Sequence, residues 1–293
     1  MMASFFASLK NKGLYFSGIL VCTVAALSGE AGAQATAPMQ GLPLLFDARE
    51  HLPLPDLSAY PRLRFLTTTD FPPFNFTDQN GRLTGFHIDL VREICAVLSI
   101  EDRCQIQAVP FGELETALGT GQGDAVIAGV AVTAAKREQF QFSRPYLLLP
   151  ARFVVTKSAL KTGQGVPAPG WRVGVVAATA HEAMAKAWFP DMQRQAFETP
   201  EALLEAMKTG KIDAGFADAL RLSFWVSGAG SGACCALAPG AYLSERFLGE
   251  GLAVMVRRQD TTLAAAFDHA LAELAGSGRL EEIYLRYFPL GLF

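Results

Sequence analysis

One pattern occurs twice in this chain, and it constrains the fold more than any other feature. The sequence reads TGQGDAVIAGV over residues 120–130 and TGKIDAGFADA over residues 209–219. Each copy of Thr-Gly-x-x-Asp-Ala follows a helical pattern and precedes a short apolar run, which is typical of a buried strand. The repetition indicates that the same helix–turn–strand unit is built twice, once in each of two similar α/β lobes.

Strand and helix patterns alternate through both halves of the chain. RLRFLTT over residues 62–68 has the pattern of a strand, and GFHIDLVREICAVLS over residues 85–99 keeps its apolar residues on one helical face. In the second half, RVGVVAA has a strand pattern, and PEALLEAMKTG predicts a helix that begins at Pro and ends at Gly. This alternation predicts an α/β fold whose parallel-type sheets are covered by helices on both faces.

The two copies of the repeat diverge at the ends of their strands. Gly129 stands at the end of the first strand and Asp218 at the end of the second. Sheets of this kind bind ligands beyond the carboxyl ends of their strands, where the strand order reverses. We therefore expect Gly129 and Asp218 to face a common cleft.

The composition is that of a globular protein. Of the 293 residues, 51% are hydrophobic and 18% are charged, and the formal net charge is −3. That is ample apolar material for a core, and it argues against a disordered chain. Because the sequence contains no basic stripe or cluster, no nucleic-acid partner is expected.

The N-terminal residues have the pattern of a secretory signal. Lys10 and Lys12 precede the apolar run GLYFSGILVCTVAALSG, and AGA follows at Ala31–Ala33. A basic region, an apolar run and a small-x-small site together predict a cleavable signal over residues 1–33. An uncleaved membrane anchor is the alternative, although the run is at the short limit for a spanning helix. Residues 34–61 are interpreted as a linker and lead-in segment.

Four cysteines follow the predicted signal, and an exported protein meets an oxidising compartment. Cys95 lies late in a predicted helix and Cys104 opens the next strand. A helix-to-strand turn can bring such positions together, so a Cys95–Cys104 disulfide is expected ahead of two free thiols. For the adjacent Cys234 and Cys235, a vicinal disulfide and two free buried thiols are equal alternatives. No histidine is spaced with these cysteines as a zinc site requires, so no metal site is expected.

Five stretches of the sequence recur, in this order, in a known family. They are DFPPFNFTDQNGRLTGFHIDL (70–90), LGTGQGDAVIAGVAVTAAKREQFQFSRPY (118–146), WRVGVVAATAHEAM (171–184), TGKIDAGFADA (209–219) and GRLEEIYLRYFP (278–289). The five stretches are spread over nearly all of the chain after about Arg62. Behind a predicted signal peptide, the chain thus resembles the periplasmic solute-binding proteins of family 3, the amino-acid receptors of ABC importers.

The resemblance implies a two-lobed periplasmic-binding-protein-like fold. In that fold two α/β lobes are joined by two hinge strands and close on a ligand by hinge bending. The first lobe is then expected over residues 62–149 and again over the C-terminal helices of residues 258–293. The second lobe is expected over the intervening residues 150–257.

The resemblance also implies which residues bind the two charges of a free amino acid. In the family, an acidic residue at the position of Asp218 binds the ammonium, and a threonine at the position of Thr179 begins a helix that faces the carboxylate. A helix N-terminus offers free N–H groups and a positive dipole end, which suit an anion. Each residue has a simpler role open to it, because Asp and Thr are both favoured helix N-caps.

The first-lobe cation is where the sequence departs from the family. The family pattern is Thr-x-x-Arg, and counting from Thr133 places Lys136 where the arginine grips the carboxylate, with Arg137 one position later. One residue turns a helix by about 100°, so Lys136 is expected to make the contact, with two solvated surface cations as the alternative. Ala131 is also expected at the ligand site, but it stands where many relatives have Ser or Thr, so one hydroxyl contact to the ligand is missing.

Aromatic and small residues are expected around the ligand side chain. Phe71 and Phe111 match the family positions that sandwich it, although both could be ordinary core residues. Ala128 and Gly129 would present backbone groups, since glycine lets a ligand approach the main chain closely.

Two further positions in the first lobe differ from the family pattern. Thr68 stands where receptors for basic amino acids often carry an aspartate, so a strongly cationic ligand side chain is disfavoured. His87 replaces the usual first Asp of the family motif at a predicted helix start. There it is expected to affect capping rather than binding.

The sequence therefore predicts a monomeric, non-enzymatic periplasmic protein without a cofactor. It would bind a polar amino acid or a similar small solute and deliver it to an inner-membrane ABC permease. One alternative on the same fold is an enzyme of the cyclohexadienyl-dehydratase kind, for which Asp218 or His181 could act as the general acid. The other is a sensor that presents its ligand-bound lobes to a membrane receptor.

Overall fold

The structure is a computed structural model that describes residues 43, 45–47, 50–161 and 168–293. The predicted signal over residues 1–33 lies outside the described residues, as does the beginning of the lead-in segment. Within the described ranges, no helix combines the length and the apolar character that crossing a membrane requires.

The described residues form thirteen strands. Those of the sheet centres are buried along most of their length, as in Ala151–Thr156, because helices cover both faces. The strands are β1 (Leu63–Thr67), β2 (Asp70–Phe71), β3 (Asn75–Thr77), β4 (Leu83–Thr84), β5 (Cys104–Ala108), β6 (Ala125–Val126), β7 (Phe140–Phe142), β8 (Ala151–Thr156), β9 (Arg172–Val176), β10 (Gln193–Phe197), β11 (Ala214–Asp218), β12 (Cys235–Leu237) and β13 (Met255–Arg257).

Ten α-helices accompany these strands in the described part of the chain. Several begin at residues whose side chains cap them, including Thr133 and the two predicted caps, Thr179 and Asp218. The helices are α1 (Phe86–Val97), α2 (Leu114–Gly119), α3 (Ala134–Gln139), α4 (Lys157–Lys161), α5 (Ala180–Trp188), α6 (Pro200–Lys208), α7 (Ala219–Ser227), α8 (Glu245–Leu248), α9 (Thr261–Gly276) and α10 (Arg279–Tyr287).

Two five-stranded sheets form the centres of two lobes. The sheet of the first lobe has the order β5–β1–β6–β13–β7, and the sheet of the second has the order β10–β9–β11–β8–β12. Each sheet contains three parallel strands, and the one that comes first in the sequence, β1 or β9, lies between the other two. The repeated sequence pattern is therefore a repeated topology, and the predicted two-lobed α/β fold is confirmed.

Each sheet is mixed rather than wholly parallel. β13 and β7 run antiparallel to their neighbours in the first lobe, and β8 and β12 do so in the second. β8 and β13 follow directly on segments that cross between the lobes. They enter their sheets without the helical crossover that a parallel neighbour needs.

The expected boundary between the lobes after residue 257 is corrected by the pairing of β13. This strand, Met255–Arg257, pairs with β6 and β7 of the first lobe. A strand pattern in the sequence does not tell which sheet the strand joins, so residues 150–257 were expected to form one lobe. The chain returns to the first lobe before Met255.

The two crossing segments run side by side and form the hinge. Leu147 and Leu252 make an antiparallel bridge in which Leu252 N donates to Leu147 O at 2.7 Å. Beside it, Tyr146 N donates to Leu252 O at 2.8 Å. A second bridge joins Ala151 to Tyr242 at the edge of the second lobe.

The aspartate of the repeated pattern has the same structural role in both lobes. Asp124 accepts hydrogen bonds from Arg64 N at 2.9 Å and Arg64 Nε at 3.1 Å. Asp213 accepts from Arg172 N at 2.9 Å and Arg172 Nε at 3.0 Å. In each lobe the carboxylate therefore ties the beginning of the third parallel strand to the beginning of the first.

The described part of the lead-in segment packs on the first lobe and does not behave as a linker. Phe46 and Leu57 are 4% and 7% exposed and belong to the first-lobe core. Glu50 accepts two hydrogen bonds from Arg144, at 2.5 and 2.6 Å. This docking could not be predicted from periodicity, because the buried apolar residues Phe46 and Leu57 are widely spaced and belong to no helix or strand.

Both pairs of cysteines form disulfides. Cys95 in α1 is joined to Cys104 at the start of β5, with the two Cα atoms 6.3 Å apart. Cys234 and Cys235 form a vicinal disulfide at the start of β12. Of the two alternatives that the sequence left open for this adjacent pair, the structure contains the bridged one.

Candidate ligand-binding site

A concavity lies at the carboxyl ends of β1 and β6 in the first lobe. It has a volume of about 340 Å³, and we call it the first-lobe pocket. Its lining residues are Thr68, Asp70, Phe71, Phe111, Ala128 and Gly129. Four of these, Phe71, Phe111, Ala128 and Gly129, are residues that the sequence predicts to contact the ligand. The structure therefore brings together the residues predicted to surround the ligand side chain.

The ring of Phe71 is held between a second aromatic ring and the main chain of Gly129. It stacks on Phe74 with the ring centroids 4.7 Å apart and an angle of 19° between the planes. Gly129 has a φ of +73°, and a Cβ atom built there would lie 2.6 Å from Phe71 Cε1. Glycine is thus required twice at this position, for the backbone conformation and for the space that the ring occupies.

Phe111 presents its ring to solvent, unlike a core residue. It begins a short 3-10 turn, Phe111–Glu113, and is 56% exposed. An exposed aromatic face in a pocket is available to stack on a ligand.

A second, smaller cavity lies at the carboxyl ends of β9 and β11 in the second lobe. It has a volume of about 170 Å³, and we call it the second-lobe pocket. Apolar side chains form most of its lining, and the polar ones are Thr179, His181, Asp218 and Arg221. Thr179 and Asp218, the two residues predicted to bind the charged groups of an amino acid, are therefore brought together.

Thr179 and Asp218 also cap the helices that they precede. Thr179 Oγ1 accepts a hydrogen bond from Glu182 N at 3.2 Å and donates one to Val176 O at 2.7 Å. Asp218 Oδ1 accepts from Arg221 N at 2.9 Å. Because the Thr179 hydroxyl is used in this way, an anion at this end of α5 would meet the main-chain N–H groups of its first turn. Asp218 keeps acceptor capacity on Oδ2.

His181 lies in the same cavity as Asp218. Burial lowers the pKa of His181, and the neighbouring Asp218 carboxylate offsets part of this decrease. The imidazole also contacts the Phe216 ring edge-on, with the centroids 6.4 Å apart. A neutral imidazole therefore stands beside the carboxylate that is expected to bind an ammonium.

Lys136 and Arg137 are both paired with acidic side chains. Lys136 Nζ contacts Glu115 Oε1, and Arg137 Nε donates to Glu250 Oε1 at 3.2 Å. Neither cation lines either pocket. Ala131 is exposed and forms a bridge with Leu252 beside the hinge. The predicted contacts of Ala131 and Lys136 with a ligand therefore need a rearrangement and stay predictions.

A buried chain of polar side chains runs from the first-lobe pocket towards the hinge. Thr68 Oγ1 is 2.7 Å from Asn75 Nδ2, Asn75 Oδ1 is 2.7 Å from His87 Nδ1, and His87 Nε2 is 2.8 Å from the hydroxyl of Tyr146. Asn75, His87 and Tyr146 are 0% exposed. The expectation that His87 affects capping is wrong, because α1 has no side-chain cap and the imidazole points into this network.

Asp70 is the residue of the first-lobe pocket that the sequence did not suggest. It forms β2 with Phe71, and its pairing with Phe76 of β3 fixes its backbone beside the pocket. The one available signal was its position, two residues beyond Thr68 along an extended segment. Among the described residues, no three acidic, histidine or cysteine side chains come together as a metal site would require.

Comparison with known proteins identifies the family to which the chain is related. Residues 63–290 match the family described as bacterial extracellular solute-binding proteins, family 3. The chain is 25% identical to ABC transporter arginine-binding protein 1 of Escherichia coli (strain K12) over 232 residues, which is 79% of this chain and 93% of that protein. It is 26% identical to the lysine/arginine/ornithine-binding periplasmic protein of the same strain, over 79% of this chain and 89% of that protein.

A solved structure supports the fold at lower identity. The L-cystine solute receptor of Neisseria gonorrhoeae, in its unliganded open conformation, is 18% identical and gives a TM-score of 0.67 over 78% of this chain and 92% of that chain. The two relatives named above are binding proteins, as their names state. Since the family match extends over residues 63–290, the chain belongs to the bacterial extracellular solute-binding proteins of family 3.

Proposed function

We propose that this protein binds a single amino acid in the periplasm and delivers it to an ABC permease of the inner membrane. The observation that carries the proposal is the placement of the predicted contact residues. Six of the eight line one pocket in each lobe, both at the carboxyl ends of the central parallel strands. The names of relatives such as the arginine-binding protein support the same ligand class.

The two lobes would divide the recognition of the ligand. In this proposal the α-ammonium pairs with Asp218, and the α-carboxylate meets the first turn of α5, which Thr179 caps. Lys136 adds a positive charge to the carboxylate from the first lobe. The ligand side chain then lies between Phe71 and Phe111.

Closure of the lobes would be coupled to the presence of ligand. A closed cleft removes Asp218 and the N-terminus of α5 from water, which costs free energy unless opposite charges meet them. An amino acid provides one charge for each. Binding therefore favours the closed form by the difference in its affinity for the two forms. As a carrier, the protein would act as a monomer and leave the ligand chemically unchanged.

Calorimetry on the protein without residues 1–33 tests the proposal, with each of the common amino acids as titrant. At least one is expected to bind with a Kd of about 1 µM or tighter, which corresponds to about −8 kcal/mol. Stabilisation by none of them in a parallel thermal-shift screen would refute the amino-acid ligand. Conversion of the bound amino acid, or loss of a prephenate-like substrate over time, would instead support the enzyme alternative.

Asp218→Asn is the matching variant, because asparagine can still cap α7 while the charge is lost. The affinity for every α-amino acid should then fall, whatever its side chain. Asp191→Asn, which removes an exposed charge elsewhere on the second lobe, is the control and should bind normally. Unchanged affinity of Asp218→Asn would show that the ammonium is bound elsewhere.

A further inference from the structure

The charge of the first-lobe pocket comes from a single residue. Among the six residues that line it, Asp70 carries the one ionisable side chain. The others contribute two aromatic rings, one hydroxyl and the small residues Ala128 and Gly129. The pocket thus combines one carboxylate with two aromatic faces and contains no basic side chain.

Asp70 differs from other carboxylates of its neighbourhood in having no cation beside it. Asp78 is paired with Arg82 at 2.9 Å, and Asp89 is paired with Arg92 at 3.1 Å. In the part of the chain that the structure describes, no lysine, arginine or histidine forms an ion pair with Asp70. Its negative charge is therefore available to something that enters the pocket.

The neighbouring hydroxyl is already engaged. Thr68 Oγ1 accepts a hydrogen bond from Asn75 Nδ2 at 2.7 Å, and Asn75 is held in turn by His87. The Thr68 hydroxyl is neutral and is held by Asn75, so it cannot supply the negative charge that a cation needs. Asp70 lies two residues further along and can supply it.

We infer that Asp70 recognises a positively charged ligand side chain, so that the amino acid bound is one with an ammonium or guanidinium group. The aromatic faces of Phe71 and Phe111 suit such a cation, since each attracts positive charge to its face. The carboxylate adds a charge-assisted hydrogen bond, and a guanidinium can make two of them in parallel. This inference is opposite to the expectation from Thr68 that a cationic side chain is disfavoured, and the titrations below decide between the two.

The inference rests on the proposed function and assigns the two carboxylates of the site to different ends of the ligand. Asp218, in the second-lobe pocket, binds the α-ammonium that all amino acids share. Asp70, in the first-lobe pocket, binds the charge that only some of them carry. Removing one charge should affect all ligands, and removing the other should affect only the cationic ones.

Two pairs of ligands separate these roles in a calorimetric titration. Arginine is compared with citrulline, and lysine with norleucine, because the members of each pair share the same carbon chain and only one of them carries a charged side chain. For the wild-type protein, at least one cationic member should bind more tightly than its neutral partner. Asp70→Asn should weaken that cationic ligand at least about tenfold, as expected for a hydrogen bond to a charged group. The affinity for the neutral partner should be unchanged.

Glu113→Gln is the matched control, since Glu113 is an exposed acid in the turn that begins at Phe111 and does not line the pocket. It should bind all four ligands as the wild type does, and both variants should keep the wild-type unfolding temperature. Equal losses for the charged and neutral members in Asp70→Asn would overturn the inference. So would a wild-type protein that prefers a neutral amino acid. Failure to bind any amino acid would instead overturn the proposed function.

Discussion

The hydroxyl of Tyr146 lies 2.8 Å from His87 Nε2, and both side chains are fully buried. One carbonyl determines the direction of every hydrogen bond in this network. Asn75 Nδ2 is 3.1 Å from Thr68 O, which can only accept, so Asn75 must turn Oδ1 towards His87 Nδ1. His87 therefore carries its proton on Nδ1, and Nε2 accepts from Tyr146.

This arrangement predicts that His87 makes the protein sensitive to acid. Burial lowers the pKa of His87 to about 3, from 6.5 in the unfolded chain. Between these two values the unfolded state binds a proton that the folded state does not, so the free energy of unfolding falls as the pH falls below about 6.5. The loss is about 1.4 kcal/mol per pH unit.

Urea unfolding of wild type and His87→Gln at pH 7 and pH 4.5 measures this contribution. His87→Gln is less stable at pH 7, because it removes part of the network. Between the two pH values the wild type should lose about 2–3 kcal/mol more than the variant does. An equal loss in both proteins would mean that His87 is protonated in the folded state and that the deduced tautomer is wrong.

Gly129→Ala should destabilise the protein and weaken ligand binding. The substitution places a side chain at a φ of +73° and a Cβ atom 2.6 Å from Phe71 Cε1, so the ring must move. We expect a loss of about 2–4 kcal/mol in the free energy of unfolding, from backbone strain and from the displaced ring.

Gly121→Ala separates these two causes. Gly121 has a φ of +76°, and nothing lies within 4 Å of a Cβ atom built there. In Gly121→Ala the free energy of unfolding should fall only by the cost of the backbone strain, about 1–2 kcal/mol. This variant should bind ligand normally. If the two variants were equally stable and bound ligand equally well, the contact between Phe71 and Gly129 would have no part in the site.

The structural features that could be predicted from the sequence are the local ones. The capping roles of Thr179 and Asp218 and the strand-end position of Gly129 follow from short stretches, and the structure agrees. The pairing of β13 with the first lobe and the contact of Glu50 with Arg144 join distant parts of the chain. No periodicity encodes contacts of that kind.

Buried polar contacts are the second kind of feature that could not be predicted from the sequence. His87 stands at a helix start, where capping was the natural interpretation, but its partners Asn75 and Tyr146 lie 12 and 59 residues away. Asp70 is not predictable from the sequence for a different reason. The family resemblance marks the position of Thr68, whereas the charge lies two residues beyond it.

The repeated aspartates should contribute unequally to stability. Asp124 and Asp213 make matching bonds to Arg64 and Arg172, but the Asp124 side chain is 9% exposed and that of Asp213 is 38% exposed. Asp124→Asn should cost about 3 kcal/mol, because the partly buried Arg64 and Arg257 both lose their charged partner. Asp213→Asn should cost about 1 kcal/mol or less, because water screens the pair.

Urea unfolding gives both values, and calorimetry with the bound amino acid gives the affinities. Neither variant should alter the affinity, since the repeated aspartates lie at the opposite ends of their strands from the pockets. Similar losses of stability in the two variants would show that burial does not decide the strength of these pairs. A loss of affinity would show that the pairs also hold the pockets in shape.

The ion pair between Lys136 and Glu115 decides whether the first lobe supplies a cation to the ligand. Lys136 Nζ contacts Glu115 Oε1 in the structure, so a ligand carboxylate would have to compete with Glu115 for it. If Lys136 binds the carboxylate, Glu115→Gln should tighten ligand binding by about two- to fivefold, the range of an exposed ion pair. Lys136→Met should weaken it by roughly ten- to a hundredfold, because a charge-assisted bond is lost.

The adjacent pair provides the control for this competition. Arg137 is paired with Glu250 just as Lys136 is with Glu115, one position later on α3. Glu250→Gln and Arg137→Met should leave the affinity unchanged, and Glu115→Gln should have no effect once Lys136 is replaced by Met. Tighter binding by Glu250→Gln, without a response to Glu115→Gln, would assign the carboxylate to Arg137. If none of these substitutions changed the affinity, the carboxylate would be assigned to the N-terminus of α5. Lys136 and Arg137 would then be surface cations.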